Sequence, residues 1–279
     1  MEAFWRGWQQ LPQHLEPVAV SVWDIPVYWY ALFFLLGSFF VYHFVKKSLI
    51  TNGICTEKEV TDLGFGVFAS ALVGAKVGFL LFYWYPFVNL ANTAFFPGIN
   101  ESSLAMPGMS FVGGMIGVII FIYWYARKYR KSFFVLTDAL VLFLPIGIFF
   151  GRLGNFFHNE LWGRVTPVQW GMYFPGEIAL RHPSTLYGAF LEGVVLFSIL
   201  FFLRKKNAHQ TFNPGMLTAC FCLGYGALRF ISEHFREPDA QIGLVGNLSL
   251  NQIFAGLIFL IGLGMYLFFN QQKRNSTGS

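Results

Sequence analysis

Charge is what this chain has least of. Only 12% of its 279 residues are Asp, Glu, Lys or Arg, against about 25% in an average soluble domain, which excludes an ordinary soluble globule. Acid is scarcer than base, 14 residues against 19, leaving a formal charge of +5. Glu160, Glu192, Glu233, Glu237 and Asp239 are scattered rather than clustered as ligands, which argues against metal-dependent transfer chemistry. No metal or other cofactor is expected. Three cysteines, Cys55, Cys220 and Cys222, make neither a disulfide framework nor a metal spacing, and the last two read as packing residues of an apolar helix. There is no internal repeat, against a transporter built from repeated halves, and no low-complexity tract. His182 and Ser184 are near neighbours, but without a surrounding nucleophile motif they do not suggest a serine protease. Residues 1–26 lack the basic region and short apolar core of a cleavable signal peptide. With Trp5, Trp8 and Trp23 and the single cation Arg6, they read as an interfacial segment on the outer face.

Apolar surface is what the chain has in excess. Hydrophobic residues make up 55% of it, aromatics 20%, with 35 Phe, and the mean hydropathy is +0.53. These values predict an all-α integral membrane protein, its aromatics facing lipid and the interfaces. Stretches able to supply about 20 helical residues recur near 27–45, 63–85, 109–126, 133–150, 186–203, 215–235 and 248–269, predicting seven spans in a single transmembrane domain, 1–279. Lys46, Lys47 and Lys58 follow the first span, Arg127, Lys128, Arg130 and Lys131 the third, Arg204, Lys205 and Lys206 the fifth, and Lys273 and Arg274 the seventh. These 12 of the 19 basic residues mark one side as cytoplasmic. An outer N-terminus and a cytoplasmic C-terminus follow, in agreement with an odd span count. This distribution also excludes nucleic acid as the target of the positive charge.

The remaining cations need another reason. In Gly151–Arg164, GRLGNFFHNELWGR, polar groups follow directly on a very apolar run, and intramembrane ionisable residues are costly and mark functional sites. A solvated loop after a span is the plainer alternative. Three glycines, however, suggest close backbone approach, and Arg152 with Asn155 at i+3 shares a helix face, a pattern suited to an anion. Residues 151–185 are thus expected to form an outer-side segment and loop. Lys76, between Gly74 and Gly78, is either functional or a lysine snorkelling to the interface. Tyr225, Arg229 and Glu233 are four apart and stack on one face. Arg229 and Glu233 form either a structural ion pair or, with Arg152 at the same depth, a pair of guanidiniums converging on a phosphate.

GRLGNFFHNELWGR resembles the signature of the bacterial prolipoprotein diacylglyceryl transferases. RHPSTLYGAFLEG, GYGALRFISEHFREPDAQ, VYWYAL and GMSFVGGMIGV resemble other blocks of that family, in order along nearly the whole chain. The resemblance implies a seven-span inner-membrane enzyme with an outward-facing site. It would move the diacylglyceryl group of phosphatidylglycerol to the lipobox cysteine thiol of a preprolipoprotein, leaving a thioether and glycerol phosphate. Its partners would be that lipid, those proteins and the surrounding membrane lipid. Catalytic residues implied by the resemblance are Arg152, Arg229, Tyr225, Glu233, Glu160 and Tyr30. Substrate-binding residues are Arg152, Asn155, Gly163, Arg229, Lys76, His182, Ser110, Gly113 and Gly114. Two positions depart from the family: Val112 stands where SFHGG has a histidine, and Lys76 stands where GGRxGY has an arginine. Val112 makes a diverged paralogue, inactive or altered in specificity, the alternative reading, with a transporter behind it.

The residues suit that chemistry independently. Attack at a glyceryl carbon requires a thiolate and a stabilised departing phosphate. A free thiol has a pKa near 8.5, which neighbouring arginines lower while also holding the phosphate. Glu160, His182 or water could accept the thiol proton, and Glu233 either orients Arg229 or is itself a base.

Overall fold

The computed structural model describes residues 1–81, 110–206, 213–238 and 244–277. Positions 82–85 of the second expected span, 109 of the third, and Asp239 lie outside them. The chain divides into two compact units: Met1–Val45 with Thr137–Ser279, and Lys46–Leu136. The helices are α1 (Glu2–Gln10), α2 (Trp29–Thr51), α3 (Glu57–Phe79), α4 (Phe111–Lys128) and α5 (Phe133–Phe157), followed by α6 (Ser184–Lys206), α7 (Met216–His234) and α8 (Leu250–Thr277). Among the described residues, α2, α3, α5, α6 and α8 through Gln272 are long and apolar enough to cross a membrane. Large side chains such as Phe202, Val73, Ile120 and Leu260 are exposed on the helix surfaces, where water would penalise them and lipid would not. The protein is therefore a helical, multi-pass membrane protein.

Helix ends differ from the expected ones for local reasons. The second span was expected from residue 63, yet α3 begins at Glu57 because Thr56 and Glu59 form a reciprocal capping box. The first was expected to stop at 45, yet α2 carries Lys46 and Lys47 within it and ends where Gly53 takes φ +65°. The fourth was expected to stop at 150. Instead α5 passes Pro145, Gly151 and Gly154 and runs to Phe157, where Asn159, at φ 56°, turns the chain. Arg152 and Asn155 are consequently helical, and only the residues after Phe157 form the loop expected from 151.

The first unit also holds shorter elements beside its long helices. After α1 and a 3₁₀ turn comes an antiparallel hairpin, β1 (Val18–Val22) with β2 (Ile25–Tyr28). The polar loop after α5 is fastened by isolated antiparallel bridges, Gly163 to Arg236 and Arg181 to both Val165 and Met172. Beneath the loop, Phe156, Met172 and Phe174 pack with Trp8, Trp162 and Leu186. Deeper in, Val141 and Leu142 of α5 meet Leu196 and Leu200 of α6 and Leu217 and Tyr225 of α7. Asp138 ties α5 to the start of α7, accepting from Gly215 N at 2.7 Å, Thr218 N at 2.8 Å and Thr218 Oγ1 at 2.6 Å. That anchors one end of the helix whose other end carries Arg229. A second hairpin, β3 (Leu244–Val245) with β4 (Leu248–Ser249), leads into α8.

The second unit is built on the antiparallel pair α3 and α4. Their backbones cross at glycines, where a Cβ on Gly117 would lie 2.5 Å from Ser70 O and 3.0 Å from Gly74 Cα. Tyr125 Oη donates to Glu59 O at 2.7 Å near one end. Because the obstacle at Gly117 is backbone, a larger side chain must force the helices apart. Gly117→Val should lower stability by about 1–3 kcal/mol or more, read as an earlier thermal unfolding in detergent. Unchanged unfolding would mean that the helices are not in contact there.

Candidate active site

An acid in an apolar helix is the centre of the site. Glu192 lies in FLEGVVLF and is 0% exposed. It sits within a π-helical stretch of α6, Ala189–Val195, a rare form that often marks functional positions. Burying a carboxylate in such surroundings requires compensating charge and hydrogen bonds, and both neighbouring helices supply them. Arg152 Nη2 of α5 donates to Oε2 at 2.9 Å. Arg229 Nη1 of α7 donates to Oε1 at 3.2 Å, and Ser232 Oγ donates to the same oxygen at 2.6 Å. Both arginines are mostly buried, their side chains 17% and 11% exposed.

Arg229 is shared between two acids. Its Nη2 lies 2.6 Å from Glu233 Oε2, one turn further along α7, so the i,i+4 pairing read from the sequence is present. Glu233 is itself buried, with Arg236 Nη1 3.7 Å from Oε2. Its other oxygen accepts from Asn251 Nδ2 at 3.0 Å and Ser249 Oγ at 3.4 Å. The buried ring of Tyr225, one turn back, stacks on Phe221 and lies within electrostatic reach of Glu192, Arg229, Arg152 and Glu233. Three guanidiniums, of Arg152, Arg229 and Arg236, thus meet the carboxylates of Glu192 and Glu233. Beside them is a small pocket, of about 10 Å³, which the three arginines line together with Ser184, Thr185, Ser232 and Leu161.

Close packing makes this arrangement possible at two glycines. A Cβ on Gly188 would lie 3.1 Å from Arg152 Nε and 3.4 Å from Glu192 Oε1, so a side chain there would press on the ion pair. A Cβ on Gly163 would lie 2.5 Å from both His182 O and Phe235 O. Gly163 is thus the point where the polar loop, the lead into α6 and the end of α7 press together, Gly163 N donating to His182 O and Arg164 N to Phe235 O.

The other expected residues fall into separate groups. Asn155 Nδ2 donates to Glu160 Oε1 at 2.6 Å, and Tyr30, packed against Gly154, lies within electrostatic reach of Glu160 and Arg152. His182 Nδ1 is 3.0 Å from Tyr187 Oη, which accepts from Trp170 Nε1 at 2.8 Å. Burial pushes the His182 imidazole below its ordinary pKa, which favours the neutral ring near pH 7. Lys76, Ser110, Gly113 and Gly114 belong to the second unit. There Lys76 Nζ lies 5.5 Å from the centre of the Phe79 ring, and Ser110 Oγ accepts from Gly113 N at the start of α4. Gly114 packs against α3, a Cβ there lying 3.2 Å from Ala71 O.

Comparison with known proteins decides the family. The family model described as prolipoprotein diacylglyceryl transferase matches residues 17–268. The chain belongs to the prolipoprotein diacylglyceryl transferase family. Among similar proteins is the phosphatidylglycerol–prolipoprotein diacylglyceryl transferase of Chlorobaculum tepidum, 38% identical over 98% of this chain and 96% of the relative. Proteins of the same name from Bordetella parapertussis and Idiomarina loihiensis are 41% and 38% identical, covering 93% and 95% of this chain and 97% and 96% of their own lengths.

For this transferase-family chain, the residue that sequence reading passed over is Glu192, counted only among scattered acids. In the fold it and Glu233, 41 positions apart by number, hold the same guanidinium. A sequence signal did exist: a lone acid inside an apolar span is itself a candidate functional residue. Removing its charge strands the Arg152 guanidinium and leaves Arg229 to Glu233 alone, so Glu192→Gln should cost about 3–5 kcal/mol of stability. Ser232→Ala, which removes one neutral donor, should cost about 1–3 kcal/mol. Denaturant unfolding in detergent tests the order. Equal stability of Glu192→Gln and the unsubstituted protein would remove Glu192 from its central place.

Proposed function

We propose that this chain transfers the diacylglyceryl group of phosphatidylglycerol to the lipobox cysteine of preprolipoproteins, the first step of lipoprotein lipidation. The observation that carries the reading is family membership over residues 17–268 together with a pocket lined by the mostly buried Arg152, Arg229 and Arg236. A lipid phosphodiester is an anion of the kind guanidiniums bind.

The chemistry follows from the groups present. The substrate thiolate attacks the glyceryl carbon, the carbon–oxygen bond to phosphate breaks, and the electron pair leaves on a phosphate oxygen as glycerol phosphate. Arg152 and Arg229 stabilise the departing phosphate and favour the incoming thiolate. Glu192 holds both arginines. Glu233 orients Arg229, a role supported by its own four partners. Asn155, Gly163 and His182 of the first unit, and Lys76, Ser110, Gly113 and Gly114 of the second, are assigned to substrate binding, Tyr30 and Tyr225 to the catalytic group, and Glu160 or His182 to taking the thiol proton. A thiol is already a few per cent ionised near pH 7, so Val112 in place of a histidine is compatible with turnover.

Arg229→Ala and Arg152→Ala should each abolish transfer of labelled lipid to a lipobox peptide. Lysine at either position should restore only part of the rate, because a point charge cannot replace the fork. Full transfer by Arg229→Ala would end the assignment.

The topology proposed with this function is a single domain, 1–279, of seven spans in the bacterial inner membrane. Its N-terminus and the loop after α5 face outward and its C-terminus faces the cytoplasm, as the basic residues direct. In a variant without native cysteines, a cysteine at Gln169 should react with an impermeant maleimide on intact spheroplasts, and one at Lys131 only after lysis. The reverse pattern would invert the orientation.

A further inference from the structure

Three hydroxyls, those of Ser184, Thr185 and Ser232, belong to residues lining the arginine pocket. Two of them are engaged by the protein: Ser184 Oγ donates to Leu161 O at 2.7 Å, and Ser232 Oγ donates to Glu192 at 2.6 Å. Thr185 is different. Its residue is only 3% exposed, yet its Oγ1 is buried with no hydrogen-bond partner among the described residues. A buried hydroxyl without a partner costs stability, and such groups in native structures call for an explanation.

The surroundings indicate what would satisfy it. The same pocket is lined by Arg152, Arg229 and Arg236, whose guanidiniums are suited to oxyanions. An occupant should therefore be anionic and should present an acceptor. A phosphoryl oxygen does both. We infer that Thr185 is a further substrate contact, its hydroxyl donating to the one non-bridging phosphoryl oxygen of the lipid headgroup that enters this small pocket beside the three arginines. This rests on the proposed transferase reading and adds a group that neither charge nor motif had singled out. Thr185 forms or breaks no covalent bond; it binds the phosphate and helps set its orientation for departure.

Thr185→Val removes the hydroxyl while nearly keeping the shape, and Thr185→Ser keeps the hydroxyl. For transfer from phosphatidylglycerol to a lipobox peptide, Thr185→Val should lose at least about tenfold in kcat/KM, the loss of one hydrogen bond to a charged group. Thr185→Ser should stay within about threefold, by the same measure. Unliganded Thr185→Val should be at least as heat-stable as the unsubstituted protein, because it removes an unpaired polar atom, a result a merely structural hydroxyl would not produce. Inorganic phosphate, titrated as a competitor and followed separately by calorimetry, should bind more weakly to Thr185→Val. Loss of transfer with undiminished phosphate binding would overturn a phosphoryl contact. So would Thr185→Val with unsubstituted kinetics, or Thr185→Ser failing as badly as valine. If the valine variant does not accumulate, Thr185→Ala against Thr185→Ser decides by the same criteria. Failure of the unsubstituted protein to transfer lipid would remove the enzymatic reading instead, while the phosphate titration would still judge the contact.

Discussion

A fully buried carboxylate shared by two arginines from two other helices is the constraint on which the rest of the first unit depends. Glu192 could not remain ionised in an apolar helix alone, and Arg152 and Arg229 could not both approach it unless α5, α6 and α7 were held at fixed spacing. The pair terms are strong because the surroundings are poorly polarisable, and the desolvation penalty is large for the same reason. Such a cluster has a steep response to disturbance. Its geometry is therefore specified from several directions at once: by the π-helical stretch that carries Glu192, by the vacant side-chain position of Gly188, and by Ser232 on the same carboxylate.

Polar links at both ends of α7 extend the same logic. At its start, Asp138 of α5 accepts from the backbone of Gly215 and Thr218, supplying an acceptor to the amide-rich end of the helix. Near its end, Glu233 receives Arg229, Asn251 and Ser249. Between them the helix meets α8 closely enough that a Cβ on Gly226 would lie 2.7 Å from Ala255 O. In lipid, close backbone approach and internal polar pairing replace much of what the hydrophobic effect provides in water. This unit uses both.

The chemistry proposed for the family member suits such a rigid, charged pocket. A departing phosphate asks for fixed positive charge more than for a proton, and fixed charge acts best where water is scarce and the donors are already in place. Here the acids hold the arginines in position beside the pocket.

Much of this was legible in one dimension. Low charge and long apolar runs determine a multi-pass helical membrane protein, because burial in lipid depends on composition and length. The four-residue spacing of Tyr225, Arg229 and Glu233 determines a shared face, because helical period is local, and the signature around Arg152 determines the family resemblance. Helix ends were less legible where a short-range device outweighed hydropathy: the capping box at Thr56, or Asn159 turning the chain after Phe157. What only the tertiary structure decided is which distant groups share one environment. Glu192 becomes the partner of Arg152 and Arg229, and Gly163 lies against the backbones of His182 and Phe235. Among the described residues, Thr185 is left with an unpaired hydroxyl in a pocket lined by three arginines. Pairing and vacancy are properties of packing between helices, and packing between helices has no period along the chain.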